Sequence, residues 1–174
     1  ILDGTTGIVA NNISSTSRLA TGNLPTGSVL QVVNANYSTG TSTTSSTYTD
    51  LGMSASITPT SSTSKVLVIV SVQGLYLPSG GNTNDNIAVK LLRGSTDINI
   101  MAGQTFYRNS TSIAQCGACY ASYTDSPATT SSTTYKIQWK SENSRPINMN
   151  VGGETSTITL MAVSYTHLRA HETL

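Results

Sequence analysis

Charged side chains are scarce in this sequence. Only 10% of the 174 residues are Asp, Glu, Lys or Arg, and the formal net charge is +1. Long surface helices normally draw on Lys and Glu, so such helices are not expected. The 9 basic residues nearly balance the 8 acidic ones and form no cluster. This balance argues against a basic nucleic-acid-binding protein.

Long apolar runs are also missing. The longest, Val66–Val70, is far below the roughly 20 residues that a membrane helix needs, so membrane insertion is not expected. The opening residues, Ile1–Gly4, have neither the basic segment nor the apolar core of a signal peptide. Because the first residue is not Met, we expect the N-terminus to be a cut inside a larger polypeptide.

Histidine is confined to the end of the chain. Both histidines, His167 and His171, fall within residues 163–173, which resemble one reading frame of a transposase-type sequencing adapter. We interpret residues 163–174 as a tail of non-biological origin, which fits a metagenomic source; the alternative is an ordinary amphipathic tail. Without this tail the chain lacks the side chain most often used for general acid–base catalysis near pH 7.

Cysteine is limited to Cys116 and Cys119. Tetrahedral zinc needs four ligands, and the chain has no second pair to complete a site. On a strand, residues i and i+3 point to opposite faces, which opposes a shared metal and a local disulfide. We expect two small buried residues, with a cross-subunit or redox role as the alternative. No metal and no cofactor are predicted.

Acidic residues are scattered singly along the chain. A glycosidase needs two carboxylates about 5 to 10 Å apart. The pair that would indicate such a site is Asp85 with Asp97, if their loops met in a groove. No catalytic residue is predicted, and we expect a protein that is not an enzyme.

Serine and threonine are abundant, with 26 Ser and 28 Thr, about 31% of the chain. Thr favours strands and Ser favours turns. Leu51–Ile57 and Tyr135–Lys140 alternate with a period of two, whereas Lys65–Gln73 is apolar on both faces, which predicts a central strand buried on two sides. About eight to ten short strands separated by turns predict an all-β fold, an antiparallel β-sandwich or jelly roll.

This pattern divides the chain into three segments. Residues 1–24 have few apolar positions and are interpreted as a connector or shaft end. Residues 25–162 carry the strand pattern and form the predicted β domain. Residues 163–174 are the adapter-like tail.

Loops rich in Ser, Asn and Tyr have the composition of adaptable recognition surfaces, and loops carry recognition on rigid sandwiches. The loops Leu77–Asp85 and Thr105–Ser112 are therefore the candidate contact regions. The candidate residues are Asn82, Asn84, Asp85, Tyr107, Arg108 and Asn109. The strand tyrosines are expected to fill the core, with their hydroxyl groups at its rim. They are Tyr76, Tyr120, Tyr123 and Tyr135.

Several short sequence segments occur in a characteristic order and spacing. They are Asp3–Val9, Leu24–Val33, Ile57–Pro59 followed by Ser64–Ser71, Leu92–Thr96, Tyr123–Pro127 with Thr133–Ile137, and Ser156–Met161. Together they resemble the C-terminal tip domains of tail-fibre-like proteins from tailed phages common in marine and environmental samples. The resemblance covers roughly residues 1 to 162.

The resemblance implies a fold and a function. It implies a homotrimeric jelly roll of the tumour-necrosis-factor-like or complement-like kind, at the end of a repetitive shaft. It implies a non-enzymatic virion protein that works outside the cell as a distal tail-fibre domain and binds a host-surface glycan or protein. The expected partners are further copies of the chain, the host surface and the rest of the shaft. No functional residue carries over, because receptor-contacting loops are the variable part.

Three other interpretations stay open at this point. The domain could register and cap a trimeric shaft while another protein finds the receptor. It could be a fibre-borne depolymerase, for which paired carboxylates would be the sign. It could also be a secreted cellular adhesin.

Overall fold

Alternating apolar and polar residues produce the most regular strands of this chain. In Thr49–Ile57 every second side chain from Leu51 onward is buried and the ones between are exposed. The computed structural model describes residues 24–81, 84–105, 112 and 114–164. Within these ranges it is all-β, with ten strands and no helix. The strands are β1 Val29–Tyr37, β2 Thr41–Thr43, β3 Thr49–Ile57, β4 Lys65–Leu77, β5 Ile87–Arg93, β6 Thr96–Thr105, β7 Gln115–Asp125, β8 Thr133–Ser141, β9 Ile147–Met149 and β10 Ser156–Val163.

The strands form two antiparallel sheets that pack as a sandwich. The first sheet has β4 at its centre, with β10 and then β1 on one side and β7 on the other. The short strand β9 pairs with the end of β4, and β2 pairs with β9. The second sheet has the order β3-β8-β5-β6. Among the long strands, only β5 and β6 are consecutive neighbours in one sheet, as expected for a jelly roll. The predicted fold class is confirmed.

The core lies between the two sheets. Trp139 and Tyr135 of β8 are at most 1% exposed, and the four valines of β4 at alternate positions from Val66 to Val72 face them from the first sheet. Burial of each large apolar side chain contributes about 1.5–3 kcal/mol relative to exposure. The packed inner faces therefore hold the sheets together.

The central strand β4 is covered on one face only. Its neighbours β10 and β7 confirm the predicted central position. Its outward side chains Leu67 and Ile69, however, are not buried, and Ile69 is 39% exposed. Burial of this strand on two sides is therefore not found within a single chain, because only one sheet packs against it.

The chain ends of the domain meet at one end of the sandwich. The Gly27 amide donates to the Ser164 carbonyl at 2.8 Å, and the Ser164 amide donates to the Ser28 carbonyl at 2.9 Å. Three turns lie at this same end, because each connects to a strand end that the register places there. They are the turns 58–64, 94–95 and 126–132. We call it the terminal end.

The opposite end, which we call the tip, carries the segments 38–48, 78–86, 142–146 and 150–155. The register places Tyr37, Leu77, Ser141 and Ser156 at this end of their strands. Thr105, the last residue of β6, and Gln115, the first residue of β7, also lie at the tip. Both loops predicted to contact a receptor therefore leave from the tip.

Some strand boundaries differ from the sequence prediction. The polar segment that begins at Thr124 predicts a loop, but β7 runs on to Asp125, whose carboxylate is buried and hydrogen-bonded. The density of Ser and Thr in residues 38–47 predicts a loop, but Thr41–Thr43 forms β2 because β9 offers it a pairing edge. β10 includes Val163, the first residue of the predicted tail, which pairs with Lys65. Residues 1–23 and 165–174, which hold almost all of the predicted connector and tail, lie outside the described residues.

The strand tyrosines divide into three groups. Tyr135 is fully buried, as predicted. Tyr76 and Tyr123 are half-buried. Tyr120 is 65% exposed, so its prediction as a core residue is wrong. Its position on β7 has the parity that points away from the second sheet, and apolar content alone could not reveal that parity.

Candidate interaction surfaces

A strip of hydroxyl groups covers part of the tip. Nine of the eleven residues of 38–48 are Ser or Thr. The side chains of Ser42, Thr44, Ser46 and Thr47 are exposed, whereas Thr41 and Thr43 are half-buried against β9. This segment lies outside the two contact regions that the sequence predicts. Its Ser/Thr density was visible, but its place at the tip follows only from the strand register.

This strip is held in place by its own hydrogen bonds. The Ser45 hydroxyl donates to the Thr47 carbonyl at 2.6 Å, and the Thr47 amide donates back to the Ser45 hydroxyl at 3.2 Å. Such local bonds from a Ser side chain replace missing backbone partners in a turn. The exposed hydroxyl groups therefore sit on an ordered backbone.

A buried asparagine braces the start of the strip. Asn150 is 3% exposed, with φ at +55°. Its side-chain amide donates to the Tyr37 carbonyl at 2.9 Å and to the Thr39 carbonyl at 3.3 Å, while its oxygen accepts from the Ser156 hydroxyl at 2.7 Å. Asn tolerates this left-handed conformation better than most residues. The brace ties the strip to the beginning of β10.

The candidate contact residues have different environments. Asn84 is exposed at the tip. Asp85 is fully buried, with its carboxylate accepting a bond from the Asn143 side-chain amide at 3.1 Å. A buried carboxylate with this hydrogen bond stabilises the loop from inside. The burial of Asp85 does not fit its predicted role as a direct receptor contact. Asn82, Tyr107, Arg108 and Asn109 lie outside the described residues.

Every charged side chain in the four described tip segments has a partner within the chain. Arg145 Nε lies 3.6 Å from Asp85 Oδ2, an ion-pair contact too long for a direct hydrogen bond. Lys140 Nζ and Glu142 Oε1 are 2.7 Å apart, and this hydrogen bond raises the pKa of the Lys140 ammonium group. The Glu154 carboxylate accepts a bond from the Gly152 amide at 2.8 Å. In these segments the charged groups are therefore engaged within the chain, and Glu154 keeps its negative charge.

The outward face of the first sheet is uncharged over three complete rows of side chains. We call it the neutral face. The rows are Val32–Met161–Leu67–Thr124, Asn34–Thr159–Ile69–Ser122 and Asn36–Thr157–Ser71–Tyr120. Val32 and Tyr120 are 56% and 65% exposed. Lys65 is a charged residue at the terminal-end border of this face.

A shallow depression of about 380 Å3 lies on the neutral face, beside Ile69 and Tyr120. The Gln73 side-chain amide donates to the Tyr120 hydroxyl at 3.0 Å and also to the Ser71 hydroxyl. The bond to Gln73 restricts the position of the Tyr120 side chain. An ordered, exposed aromatic ring with polar neighbours is the kind of feature that protein interfaces bury.

The outward face of the second sheet is charged. Lys90 pairs with Asp97 at 2.9 Å, and Lys136 pairs with Asp50 at 3.0 Å. Hydrogen bonds from Gln138 and Lys136 lower the pKa of the Asp50 carboxyl group. Exposed ion pairs of both signs are typical of a surface that stays in water. The two outer faces of the sandwich therefore differ in chemistry.

The two cysteines point to opposite faces of β7, as predicted from their spacing. Cys119 is buried in the core, where burial raises the pKa of its thiol. Cys116 is exposed, so the expectation of two buried residues is wrong for this one. Both thiols are unpaired.

The structure separates the two carboxylates that would have indicated a depolymerase. Asp85 precedes Ile87 at the tip, whereas Asp97 lies opposite Leu92 toward the terminal end. Five strand residues between these points span about 17 Å, beyond the roughly 5–10 Å that a glycosidase pair requires. Asp97 is instead paired with Lys90. In the described part of the chain, no three His, Cys, Asp or Glu residues are close enough to bind a metal together.

Comparisons with known proteins complete the description of the chain. No protein-family model matches it, and no curated protein matches it either. Across the described ranges, no helix has the length and apolar character that spanning a membrane requires.

Proposed function

We propose that this chain is a non-enzymatic structural domain at the distal end of a phage tail fibre. In this proposal it associates with further copies of itself as a homotrimer and binds a host-surface glycan or protein through its tip. It acts outside the cell, as part of the virion. The proposal is motivated by the resemblance of several sequence segments, named under "Sequence analysis", to fibre tip domains.

The observation that carries the proposal is the difference between the two ends of the sandwich. Residues 1–23 join the domain at the terminal end, where Gly27 and Ser164 are hydrogen-bonded. The long polar segments, including the strip 38–48, lie at the opposite end. A shaft attached at the terminal end leaves the tip exposed to a target surface. This arrangement suits recognition by loops on a rigid scaffold.

The neutral face supports self-association. A sheet face left in water normally carries charged residues, as the second sheet does with Lys90, Asp97, Lys136 and Asp50. The neutral face carries Val32, Ile69 and Tyr120 instead. Interface centres are depleted in charge and enriched in aromatic residues. An uncharged face can also be buried against another copy of the chain without leaving an unpaired charge out of water.

Self-association is tested by sedimentation of the full chain and of two lysine variants. Ile69→Lys places a charge in the neutral face, and we expect the trimer to become a monomer. Ile100→Lys is the matched control, because Ile100 is 68% exposed on the charged face of the second sheet. A monomeric unsubstituted chain, or a trimer that survives Ile69→Lys, contradicts this part of the proposal.

Receptor binding is tested with fluorescently labelled full chain and a panel of environmental bacterial isolates. We expect attachment to a subset of isolates, and loss of attachment when unlabelled chain competes. Intact trimers that attach to no isolate would instead favour a domain that registers and caps the shaft.

A further inference from the structure

We infer that Arg145 is a positioning residue for the tip. Its side chain, together with Asp85, fixes the described parts of segment 78–86 against the turn 142–146 and so sets the shape of the surface that meets the receptor. The inference rests on the proposed function, because it names the residue on which recognition by the tip depends. It assigns Arg145 no contact with the receptor itself.

The turn 142–146 is joined to two other tip segments by its backbone. Just before the turn, the Ser141 amide donates to the Ser45 carbonyl at 2.8 Å. The Glu142 amide donates to the Asn86 carbonyl at 3.2 Å, at the last residue of the segment that follows β4. Side chains of the turn reach further into that segment.

Arg145 contacts the same segment near its beginning and near its end. Its Nη2 donates to the Ser79 carbonyl at 3.3 Å, and its Nε lies 3.6 Å from Asp85 Oδ2. Neighbouring donors of one planar guanidinium group therefore face two points that are six positions apart in the sequence. One side chain thereby bridges the two described parts of the segment, 78–81 and 84–86.

Asp85 anchors this bridge inside the domain. Its carboxylate is fully buried, and Oδ1 accepts a hydrogen bond from the Asn143 side-chain amide at 3.1 Å. Burial of a carboxylate is costly unless opposite charge and hydrogen bonds compensate it. Two of the compensating groups, Asn143 and Arg145, belong to the turn 142–146. The buried position of Asp85 therefore depends on that turn.

The exposed backbone passes directly over the ion pair at Gly81, where φ is +83°. A Cβ atom at this position would lie 2.5 Å from Arg145 Nε and 2.5 Å from Asp85 Oδ2. Glycine fits because it has no such atom and because it adopts a positive φ without strain. The path of the exposed chain is therefore fitted to the pair beneath it, which is an observation independent of the hydrogen bonds.

The place of Arg145 in the fold distinguishes it from an ion pair that holds the sheets together. Arg93, which pairs with Asp125 at 2.9 Å, lies within β5. Arg145 and Asp85 both lie outside the strands, and the Arg145 side chain is 31% exposed. Partly exposed pairs contribute little to overall stability. Loss of the Arg145 contacts should therefore loosen the tip and leave the packed sheets in place.

Hydrogen exchange of the full chain tests the positioning role without any receptor. Arg145→Met removes the charge and the side-chain donors, and we expect about tenfold faster amide exchange in peptides that cover 78–86. Strand β3 should exchange at an unchanged rate. Lys136→Met is the matched control, because it removes an ion pair of similar exposure, 28% at the lysine, from the charged face. It should leave exchange at the tip within about twofold of the unsubstituted chain.

Two glycine variants test the contact over the ion pair. Gly81→Ala should speed exchange in the same peptides about tenfold, because the methyl group does not fit over Arg145 and Asp85. Gly52→Ala in β3 is the control for backbone strain, since φ of Gly52 is +91° and nothing lies within 4 Å of its Cβ position. This control should change exchange at the tip by less than about twofold.

Attachment of labelled chain to the isolates that bind it tests the link to recognition. We expect Arg145→Met and Gly81→Ala to reduce attachment about tenfold, and Lys136→Met and Gly52→Ala to change it less than about twofold. Arg145→Lys should fall between, because its ammonium group keeps the attraction to Asp85 but cannot span both contact points. The thermal midpoint of Arg145→Met should shift by less than about 3 °C, which separates positioning from a general loss of stability.

The outcomes separate this inference from the proposed function. Unchanged exchange at 78–86 in Arg145→Met overturns the inference, and so does faster exchange that is equal in β3 and at the tip. Faster exchange at the tip alone with unchanged attachment also overturns it, because recognition then does not depend on the position that Arg145 sets. In these cases receptor binding stands. Attachment of the unsubstituted chain to no isolate contradicts receptor binding itself, and the inference falls with it.

Discussion

Asp125 is a buried carboxylate held by residues of both sheets. It lies at the end of β7 in the first sheet and is 6% exposed. Arg93 of β5 donates from Nη1 to both of its oxygens at 2.9 Å, and the Tyr135 hydroxyl of β8 donates to Oδ2 at 2.7 Å. A buried charge is tolerated when its hydrogen bonds are satisfied in this way. This cluster joins the two sheets at the terminal end.

Replacing Asp125 with Asn should therefore destabilise the domain. The substitution leaves Arg93 without its counter-ion, and because that side chain is 31% exposed, we expect a loss of about 2 kcal/mol rather than the larger cost of a fully buried pair. Asp97→Asn, at a carboxylate whose side chain is 59% exposed, should change stability by less than about 0.5 kcal/mol. Urea unfolding at one protein concentration compares the two variants, and equal effects would contradict the role given to Asp125.

Tyr135 makes stability depend on alkaline pH. Burial, followed by the hydrogen bond to Asp125, raises the pKa of its phenol well above the usual value of 10.0. The folded chain then keeps a proton that the unfolded chain loses, so this contribution is complete below pH 10 and decreases above it. We expect a slope of up to about 1.4 kcal/mol per pH unit above pH 10.

The variant Tyr135→Phe isolates this effect. It removes the titrating group, so its unfolding free energy should fall less steeply above pH 10. Cys119 and Lys140, whose pKa values are also raised, lose their contributions at alkaline pH in both proteins and cancel in the comparison. Parallel pH profiles for the two proteins would show that Tyr135 does not titrate as described.

At the scale of elements, the end of β4 is shaped by a bulge. The pairing with β7 shifts by one residue between Val72 and Leu75, and Gly74 there has φ at +56°. A Cβ atom on Gly74 would lie 2.5 Å from a Glu154 oxygen and 3.0 Å from the Asn150 backbone. The bulge lets β4 pair with β9 beyond the end of β10, at Tyr76. It thereby supports the tip.

We expect Gly74→Ala to lower the unfolding free energy by about 1–3 kcal/mol, because the new methyl group is both strained and crowded. Gly103→Ala in β6 is the control, since nothing lies within 4 Å of its Cβ position. That substitution should be neutral or slightly stabilising, through a less flexible unfolded chain. Thermal unfolding of both variants provides the measurement, and a neutral Gly74→Ala would refute the packing argument.

Elements with strict alternation were predictable from sequence, and irregular ones were not. Leu51–Ile57 and Tyr135–Trp139 show their buried faces by period alone. Alternation along β1 predicts that Val29 and Val33 share one face, but the strand has a bulge between Val29 and Gln31. Val29 is therefore 53% exposed, whereas Val33 packs against the core. A single inserted residue reverses which face a side chain occupies.

At the scale of the whole molecule, the sandwich has one charged outer face, one neutral outer face and a hydroxyl-rich tip. The first keeps its ion pairs in water, such as that of Lys136 with Asp50. The second, with Ile69 and Tyr120 exposed, suits contact with another copy. The third lies farthest from the junction with residues 1–23. In the proposed function, these three surfaces would separately face water, bind further copies of the chain and contact the host surface.

If the neutral face is covered in an oligomer, stability must depend on concentration. We expect the thermal midpoint of the full chain to rise with protein concentration, because association stabilises the folded state by mass action. Ile69→Lys should abolish this dependence and Ile100→Lys should preserve it. Calorimetry over a hundredfold concentration range tests this, and a constant midpoint for the unsubstituted chain would contradict assembly through this face.

The sequence by itself determined the all-β class, the central place of Lys65–Gln73 and the divergence of Cys116 and Cys119, because these depend on local periodicity. The tertiary structure decided the rest. It placed the strip 38–48 at the tip, buried Asp85 against Arg145 and separated Asp85 from Asp97. Such outcomes depend on strand register and sheet order, which join residues distant in sequence, and no local pattern encodes them.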